Sequence, residues 1–403
     1  MFKLIVGGDV YAPEKRGVAN ILIAGDKIAA VGEDLKAPGG YKCEVIDASG
    51  KVVYPGWVDP HIHLTGADDS QGPYGHTYDV SYQDIVESGV TTAVGTLGGE
   101  YLVRNLEQLY WKTIELELAG LTTYMYTGCF HIPPPTITGT VRGDVVLIDK
   151  VRGLKSAISD ATTSHHTWRE MAELVSEVAL GAETVKKTAV VHVHVGRRPQ
   201  RMDMLFEVIE NTGLPAKLIQ PTHVNRATPD VMAQGVEWAK RGGYVDLTTQ
   251  MRKEEGTLTG LKTDLAVKRM LAEGCPIEYI TISSDANCPM AIRDAKGKQV
   301  AVYIAPVDFT RREIRDIVHN RILPFEEALK MVTTNPAKCL GIDDRKGRIA
   351  EGYDADIVIA DKPRELRVEK VYAKGKQLVE GGKTIWPGYY VKDPYYDQYH
   401  QTK

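Results

Sequence analysis

Val52-Val53-Tyr54-Pro55-Gly56-Trp57-Val58-Asp59-Pro60-His61-Ile62-His63-Leu64 reads as an apolar strand that ends on a pair of histidines. Residues at i and i+2 of a strand point to the same face, so both imidazoles can reach one metal ion. Further strand-length runs follow at Thr91–Leu97, Thr122–Gly128, Gly153–Ser159, Ala189–Val195, Lys217–Asn225, Tyr244–Gln250 and Tyr279–Asn287. Helical segments separate most of them. Asn105–Ile114 sets Leu106, Leu109, Tyr110 and Thr113 on one face, and Thr167–Leu180 and Thr263–Ala272 carry similar stripes. Strands that do not alternate apolar with polar, each followed by a crossover, predict a parallel sheet buried on both faces. Eight such units in about 285 residues predict an α/β fold, a (β/α)8 TIM barrel over 52–339. An open doubly wound sheet would need a glycine-rich phosphate loop after its first strand, and none is present.

The flanks differ in style. Leu4–Gly8, Ala19–Ala24, Lys27–Val31 and Glu44–Asp47 are short strands, with Gly25-Asp26 as a hairpin junction. Asp356–Ala360, Val368–Tyr372 and Lys376–Val379 resume the pattern after the barrel. Neither flank is long enough for a core of its own. The economical reading is one small β-sandwich domain, assembled from residues 1–51 and 340–390, with the barrel inserted between its halves. A tyrosine-rich tail, 391–403, follows.

Composition narrows the class. The chain has 403 residues, 43% hydrophobic and 25% charged, which excludes disordered, collagen-like and coiled-coil proteins. A net charge of −4 gives no footprint for nucleic acid or an anionic membrane. Five scattered cysteines without a CxxC are no disulfide framework and favour a reducing compartment. No signal-peptide core opens the sequence, and nowhere do ~18 apolar residues run together. The expectation is a cytoplasmic enzyme, without membrane or nucleic-acid partners. Twenty tyrosines stand against five phenylalanines, and five of those tyrosines cluster between Tyr389 and Tyr399.

In a TIM barrel the chemistry sits at the C-terminal ends of the strands. Polar residues collect there. His61 and His63 end the first strand, His192-Val193-His194 the fifth, His223 the sixth and Asp285 the eighth, while Lys155 lies in the fourth. Each has a bland alternative, since a lone strand histidine is usually a hydrogen-bonded core residue and a lone lysine usually snorkels to water. Independent core histidines would not all fall at the same end of three strands. Nitrogen and oxygen ligands converging from several strands are the make-up of zinc-type hydrolytic sites. An ammonium cannot bind a cation, so Lys155 makes sense there if it carries CO2 as a carbamate, whose two oxygens can bridge two metals. His192 shares the direction of His194 one layer deeper and reads as core. His76, His131, His165 and His166 have no matching ligand role.

These residues resemble the signature of the amidohydrolase superfamily, and within it the isoaspartyl (β-aspartyl) dipeptidases, from about residue 50 to residue 380. Supporting stretches are Thr127–Pro133, Thr136–Gly139, Gly153–Asp160, Pro221–Arg226 and Ser283–Asp285, and Asn335–Gly341 with Gly347–Val358 resembles the superfamily's return to its β-domain. The resemblance implies two Zn2+ per subunit: one on His61, His63 and Asp285, the other on His194 and His223, with carboxylated Lys155 bridging. It implies a metal-bridging hydroxide as nucleophile, with Asp285 carrying the proton to the leaving amine. Arg226 matches a family arginine that contacts the substrate. Homo-oligomers are expected, and the tyrosine-rich tail is a candidate subunit contact, lid or loose end.

The substrate clamp departs from that family. Its glutamate for the dipeptide's α-amino group aligns with Ser70, and its carbonyl-polarising tyrosine with Phe130. An arginine and a serine that grip carboxylates align with Thr162 and Pro289, and a threonine aligns with Gly99. Losing desolvated charge contacts typically costs several kcal/mol, so the same substrate in the same pose is hard to retain. Substitute candidates are Asp68, Asp69 or Glu100 for an amine, Arg197, Arg198 or Arg201 for a carboxylate, and Tyr74, Tyr78 or Tyr101 for the carbonyl. The leading expectation is a binuclear zinc hydrolase of amide C–N bonds, acting on a small amide or dipeptide-like molecule. A second is a hydantoinase- or dihydroorotase-like enzyme for cyclic amides or imides, ureido acids or N-acyl amino acids. A non-catalytic scaffold is a third, and the six filled ligand positions argue against it.

Overall fold

The computed structural model describes residues 2–68, 75–226, 229–251, 260–294, 296 and 298–386. Ser70, Asp69, Tyr74 and the whole tyrosine-rich tail lie outside them.

The barrel is a TIM barrel. Six parallel strands are hydrogen-bonded in sequence order: Trp57–Ile62, Val90–Gly95, Thr122–Gly128, Val151–Ile158, Val190–Val195 and Ile219–Thr222. Val245–Thr248 and Ile280–Ser283 form the remaining parallel pair. Closure comes at two seams. The Val224 amide donates to the Asp246 carbonyl at 3.3 Å, and a parallel bridge joins Ile62 to Ala286. All eight strands are buried along their length apart from Arg152, as sheets covered on both faces must be. Helices cover the outside, and their starts follow from local chemistry. Leu106–Ala119 begins at a capping box between Asn105 and Gln108, and Trp168–Thr184 at one between Thr167 and Glu170.

The run Val52–Leu64 is two strands rather than one. Val52–Pro55 pairs with Asp9-Val10 on one side and with Ile357–Ala360 on the other, whereas the barrel starts at Trp57. The break is Gly56, where a Cβ would sit 2.2 Å from Thr91 Oγ1, so only glycine lets the chain cross from one sheet to the other. The sheet drawn from both ends of the chain therefore takes in residues up to Pro55. It has nine strands, and Phe2–Tyr11 pairs parallel with Cys43–Asp47 and Val52–Pro55 but antiparallel with Lys15–Ala24. The hairpin junction at Gly25-Asp26 predicts antiparallel neighbours, and the N-terminal part of the sheet is mixed. Its own core gathers Ile5, Ile21, Ile23, Val53, Ile357, Ile359 and Tyr372.

A buried lysine fastens the two units. Lys346 Nζ lies 2.8 Å from Asp354 Oδ2 and 2.7 Å from Asp356 Oδ2. Asp354 also takes Lys27, from the N-terminal hairpin, at 2.6 Å, and Asp356 accepts from Thr91 Oγ1 of the second barrel strand at 3.2 Å. After the eighth barrel strand an antiparallel hairpin, Pro289–Arg293 with Gln299–Ile304, stands beside the barrel mouth. Among the described residues no helix is long and apolar enough to cross a membrane.

Candidate active site

The strand ends deliver His61, His63, Lys155, His194, His223 and Asp285 to one mouth of the barrel, all nearly fully buried. Two conformations make this possible. His223 and Asp285 have φ of +65° and +47°, in the left-handed region where a residue with a Cβ is strained, and each turns its side chain inward as its strand stops. Asn287 holds the neighbouring turn, donating to the His63 carbonyl at 2.9 Å and the Tyr78 carbonyl at 2.7 Å. Lys155 depends on Gly153 two residues earlier. A Cβ there would lie 1.8 Å from the Val190 carbonyl oxygen, so glycine brings the fourth strand close to the fifth.

Asp285 is the hub. Its Oδ1 stands 3.1 Å from His61 Nε2 and 3.3 Å from His63 Nε2, and its Oδ2 lies 3.8 Å from His223 Nδ1. Lys155 Nζ is 3.1 Å from His61 Nε2. The His194 ring faces that of His223 at 4.6 Å, and its Nε2 lies 3.2 Å from Asp160 Oδ2. His223 Nδ1 and Asp285 Oδ1 are buried without a hydrogen bond, while the Nδ1 of His63 turns to Glu100 and its Nε2 to Asp285. Buried polar atoms ordinarily find partners, so unsatisfied donors of nitrogen and oxygen type at one point fit a divalent cation. His61, His63 and Asp285 bring their donor atoms within 4.8 Å of one another. His61, His192 and Asp246 do so as well, deeper in the barrel. There, however, the donors already have partners, as Asp246 accepts from Thr222, Thr281 and Ser283.

Burial sets the electrostatics. It pushes the imidazolium forms of His61, His192 and His223 well below the ordinary histidine range, with the nearby Lys155 charge acting in the same direction. These three imidazoles are neutral at pH 7, the form that can ligate, whereas at His63 burial is outweighed by the hydrogen bonds to Asp285 and Glu100, which raise it to about 9. Burial also brings the Lys155 ammonium down to about 8. His194 falls to about 4 through burial, which its contact with Asp160 only partly offsets.

The residues expected at the substrate are a mixed set. Phe130 packs on His194. Arg226 stands at the end of the sixth strand with its Nε buried and unpaired. Thr162 is occupied by Asp160, to which its hydroxyl donates at 2.9 Å. Glu100 is not open to an amine, because it accepts from the Gly98 amide at 2.7 Å and lies 3.5 Å from His63 Nδ1. Arg201 pairs with Asp230 at 3.1 Å, Asp68 lies 3.6 Å from His76, and Tyr101 stacks on His131. Arg197 and Arg198 are exposed on the loop after the fifth strand. His192, read as core, is fully buried and lies with Nε2 3.1 Å from His61 Nδ1.

A barrel with histidine and carboxylate donors gathered at its C-terminal mouth defines a metal-dependent hydrolase. Residues 52–378 match the Amidohydrolase family, and the chain belongs to it. It is an enzyme of the class that hydrolyses C–N bonds. The β-aspartyl dipeptidase of Fervidobacterium islandicum AW-1, solved with β-Asp-Leu, is 35% identical and superposes with a TM-score of 0.87 over 97% of this chain and 100% of that one. An allantoinase of Escherichia coli is 37% identical over 405 aligned residues, covering 89% of this chain and 85% of the relative. A dihydroorotase of Lactobacillus johnsonii is 25% identical, covering 93% of each.

Proposed function

We propose that the chain hydrolyses an amide C–N bond of a small molecule with the help of two divalent cations, zinc by the resemblance, which His61, His63, His194, His223, Asp285 and Lys155 as its carbamate would hold. The observation that carries this reading is the fully buried Lys155 amine, 3.1 Å from the Nε2 of a histidine in the hub around Asp285. An ammonium has donors only and cannot ligate, whereas a carbamate offers two oxygens. With its pKa brought down to about 8 by burial, more of the side chain is free amine, the form that adds CO2. Bound there, divalent cations polarise a carbonyl and bring the pKa of a water towards neutrality.

The chain's own groups supply the rest. Asp285, with a partnerless Oδ1, accepts the proton and returns it to the leaving nitrogen. Arg226 presents its unpaired guanidinium nitrogen to an anionic group of the substrate. Phe130 excludes water beside His194 and offers the carbonyl no hydrogen bond. The preferred substrate is therefore an amide read by fewer charges than a β-aspartyl dipeptide, in a pocket otherwise of the dipeptidase kind.

A second reading, ring opening of a cyclic amide, imide or ureide, is favoured by the same apolar Phe130 wall and by the likeness to an allantoinase and a dihydroorotase. A substrate panel on zinc-loaded protein separates the two: β-aspartyl and N-acyl amino acids on one side, hydantoins, dihydropyrimidines and allantoin on the other. Absence of hydrolysis across both arms, with two metals bound per chain, would sink the reading.

A further inference from the structure

The interior of the barrel beneath the ligand cluster holds a chain of hydrogen bonds with only one consistent direction. His61 Nδ1 lies 3.1 Å from His192 Nε2, and His192 Nδ1 lies 2.9 Å from Gln220 Oε1. Gln220 Nε2 donates to Thr281 Oγ1 at 2.9 Å, and Thr281 Oγ1 donates to Asp246 Oδ1 at 2.7 Å. Asp246 takes two more hydroxyls, from Thr222 and Ser283, each at 2.6 Å. His61, His192, Gln220, Thr281 and Asp246 are all at most 1% exposed, and Tyr126 stacks on His192 with planes 7° apart.

The direction follows from valence. A carboxylate only accepts, so the Thr281 hydroxyl spends its single proton on Asp246. Its lone pair then takes a proton from the amide, which fixes Gln220 with Nε2 towards Thr281 and Oε1 towards His192. A carbonyl oxygen accepts only, so His192 carries its proton on Nδ1 and presents a bare Nε2. His61 must then donate from Nδ1, leaving its Nε2 bare. That bare Nε2 faces Asp285 Oδ1, also an acceptor, at 3.1 Å, an opposition that a cation held between the two would relieve.

We propose that His192, held by Gln220, Thr281 and Asp246, is a positioning residue that fixes His61 in the Nδ1-protonated tautomer, with Nε2 presented to the metal. This rests on the metal-site reading above. Orienting partners of this kind typically change metal affinity by about 10- to 100-fold.

The test has two arms. In the first, histidine-selective 15N NMR of the metal-free wild type reads the His61 tautomer directly. A protonated Nδ1 supports the relay, and a protonated Nε2 overturns it, whether or not the protein binds metal. In the second, zinc dissociation constants are measured by chelator competition for His192→Phe, which keeps the ring stacked on Tyr126 but accepts nothing, and for His192→Gln, whose amide oxygen can accept from Nδ1. The expectation is about 10- to 100-fold weaker zinc binding in His192→Phe and recovery of at least half of that loss, on a logarithmic scale, in His192→Gln. Equal affinity in all three proteins, or equal loss in both variants, overturns the proposal. A wild type that binds no zinc while showing the Nδ1–H tautomer refutes the metal reading and leaves the relay standing. If the variants do not fold, the NMR arm decides.

Discussion

The ring of Phe130 packs on the imidazole of His194 with centroids 4.6 Å apart. This position, at the end of the third barrel strand, is where the resemblance puts a tyrosine that polarises the scissile carbonyl. A hydroxyl there would strengthen its hydrogen bond as charge develops on the carbonyl oxygen, which lowers the barrier more than it tightens binding. Phe130→Tyr is expected to raise kcat on β-Asp-Leu by roughly 10-fold or more, with KM little changed. Release of aspartate and leucine measures it. An unchanged kcat would mean that the missing hydroxyl does not limit this substrate.

Lys155 is the most exacting position. Lys155→Ala removes the amine that is to carry the carbamate, and is expected to cost roughly a thousandfold or more in kcat/KM. Acetate or propionate at millimolar concentration should restore part of the activity, because a free carboxylate offers the same two oxygens. Metal content per chain should fall and recover in parallel. Full turnover in the variant without any added acid would refute the bridge.

Removing the metal should also be felt by the fold. His61, His63 and Asp285 hold buried donor atoms within 4.8 Å of one another, so a cation bound to them stabilises only the native state. At a free concentration of about a thousand times Kd that contribution is about 4 kcal/mol. Dialysis against a chelator is expected to abolish hydrolysis and to lower the melting temperature by several degrees, and zinc should reverse both. A melting temperature indifferent to zinc would count against the assigned donors.

The strand ends and their polar residues were legible because a parallel strand buried on both faces announces itself as an unbroken apolar run, in which a histidine or lysine stands out. For the same reason the break at Gly56 was hidden: Val52–Leu64 is apolar on both sides of it, and only the close approach of Thr91 shows that the chain changes sheet. The left-handed backbone at His223 and Asp285 leaves no mark in composition. His192 could have been found, since it repeats the i, i+2 pattern of His61 and His63 and points to the same interior. Its partner Gln220, however, is brought to it by strand pairing, which places His192 opposite Gln220. The hairpin at Pro289–Ile304 is harder to place from sequence: Val300–Ile304 is an apolar run of strand length, yet its strand is largely exposed and pairs outside the barrel.

Lys346 offers a test of how barrel and terminal sheet are held together. Its ammonium is 1% exposed between Asp354 and Asp356, and through them it reaches Lys27 and Thr91. Replacing it by Met leaves two buried carboxylates short of their counter-charge, a change that typically costs about 3–5 kcal/mol. The pH dependence has a definite sign. Burial alone would raise Asp354, but the Lys346 charge and the hydrogen bonds from Lys27 and Lys346 outweigh it and hold the carboxyl below its ordinary value. That part of the stability is complete above the unfolded carboxylate pKa of about 4, and is lost as pH falls through the depressed native value. Lys346 moves the other way: burial lowers it, but Asp356 and Asp354 prevail and raise it, so its contribution persists at neutral pH and fades only under strong alkali. Urea melts of wild type and Lys346→Met should therefore differ most between about pH 5 and 8 and converge as the pH drops towards about 2. A difference that stays constant over that acid range would mean that Lys346 contributes through packing and that its charge is immaterial.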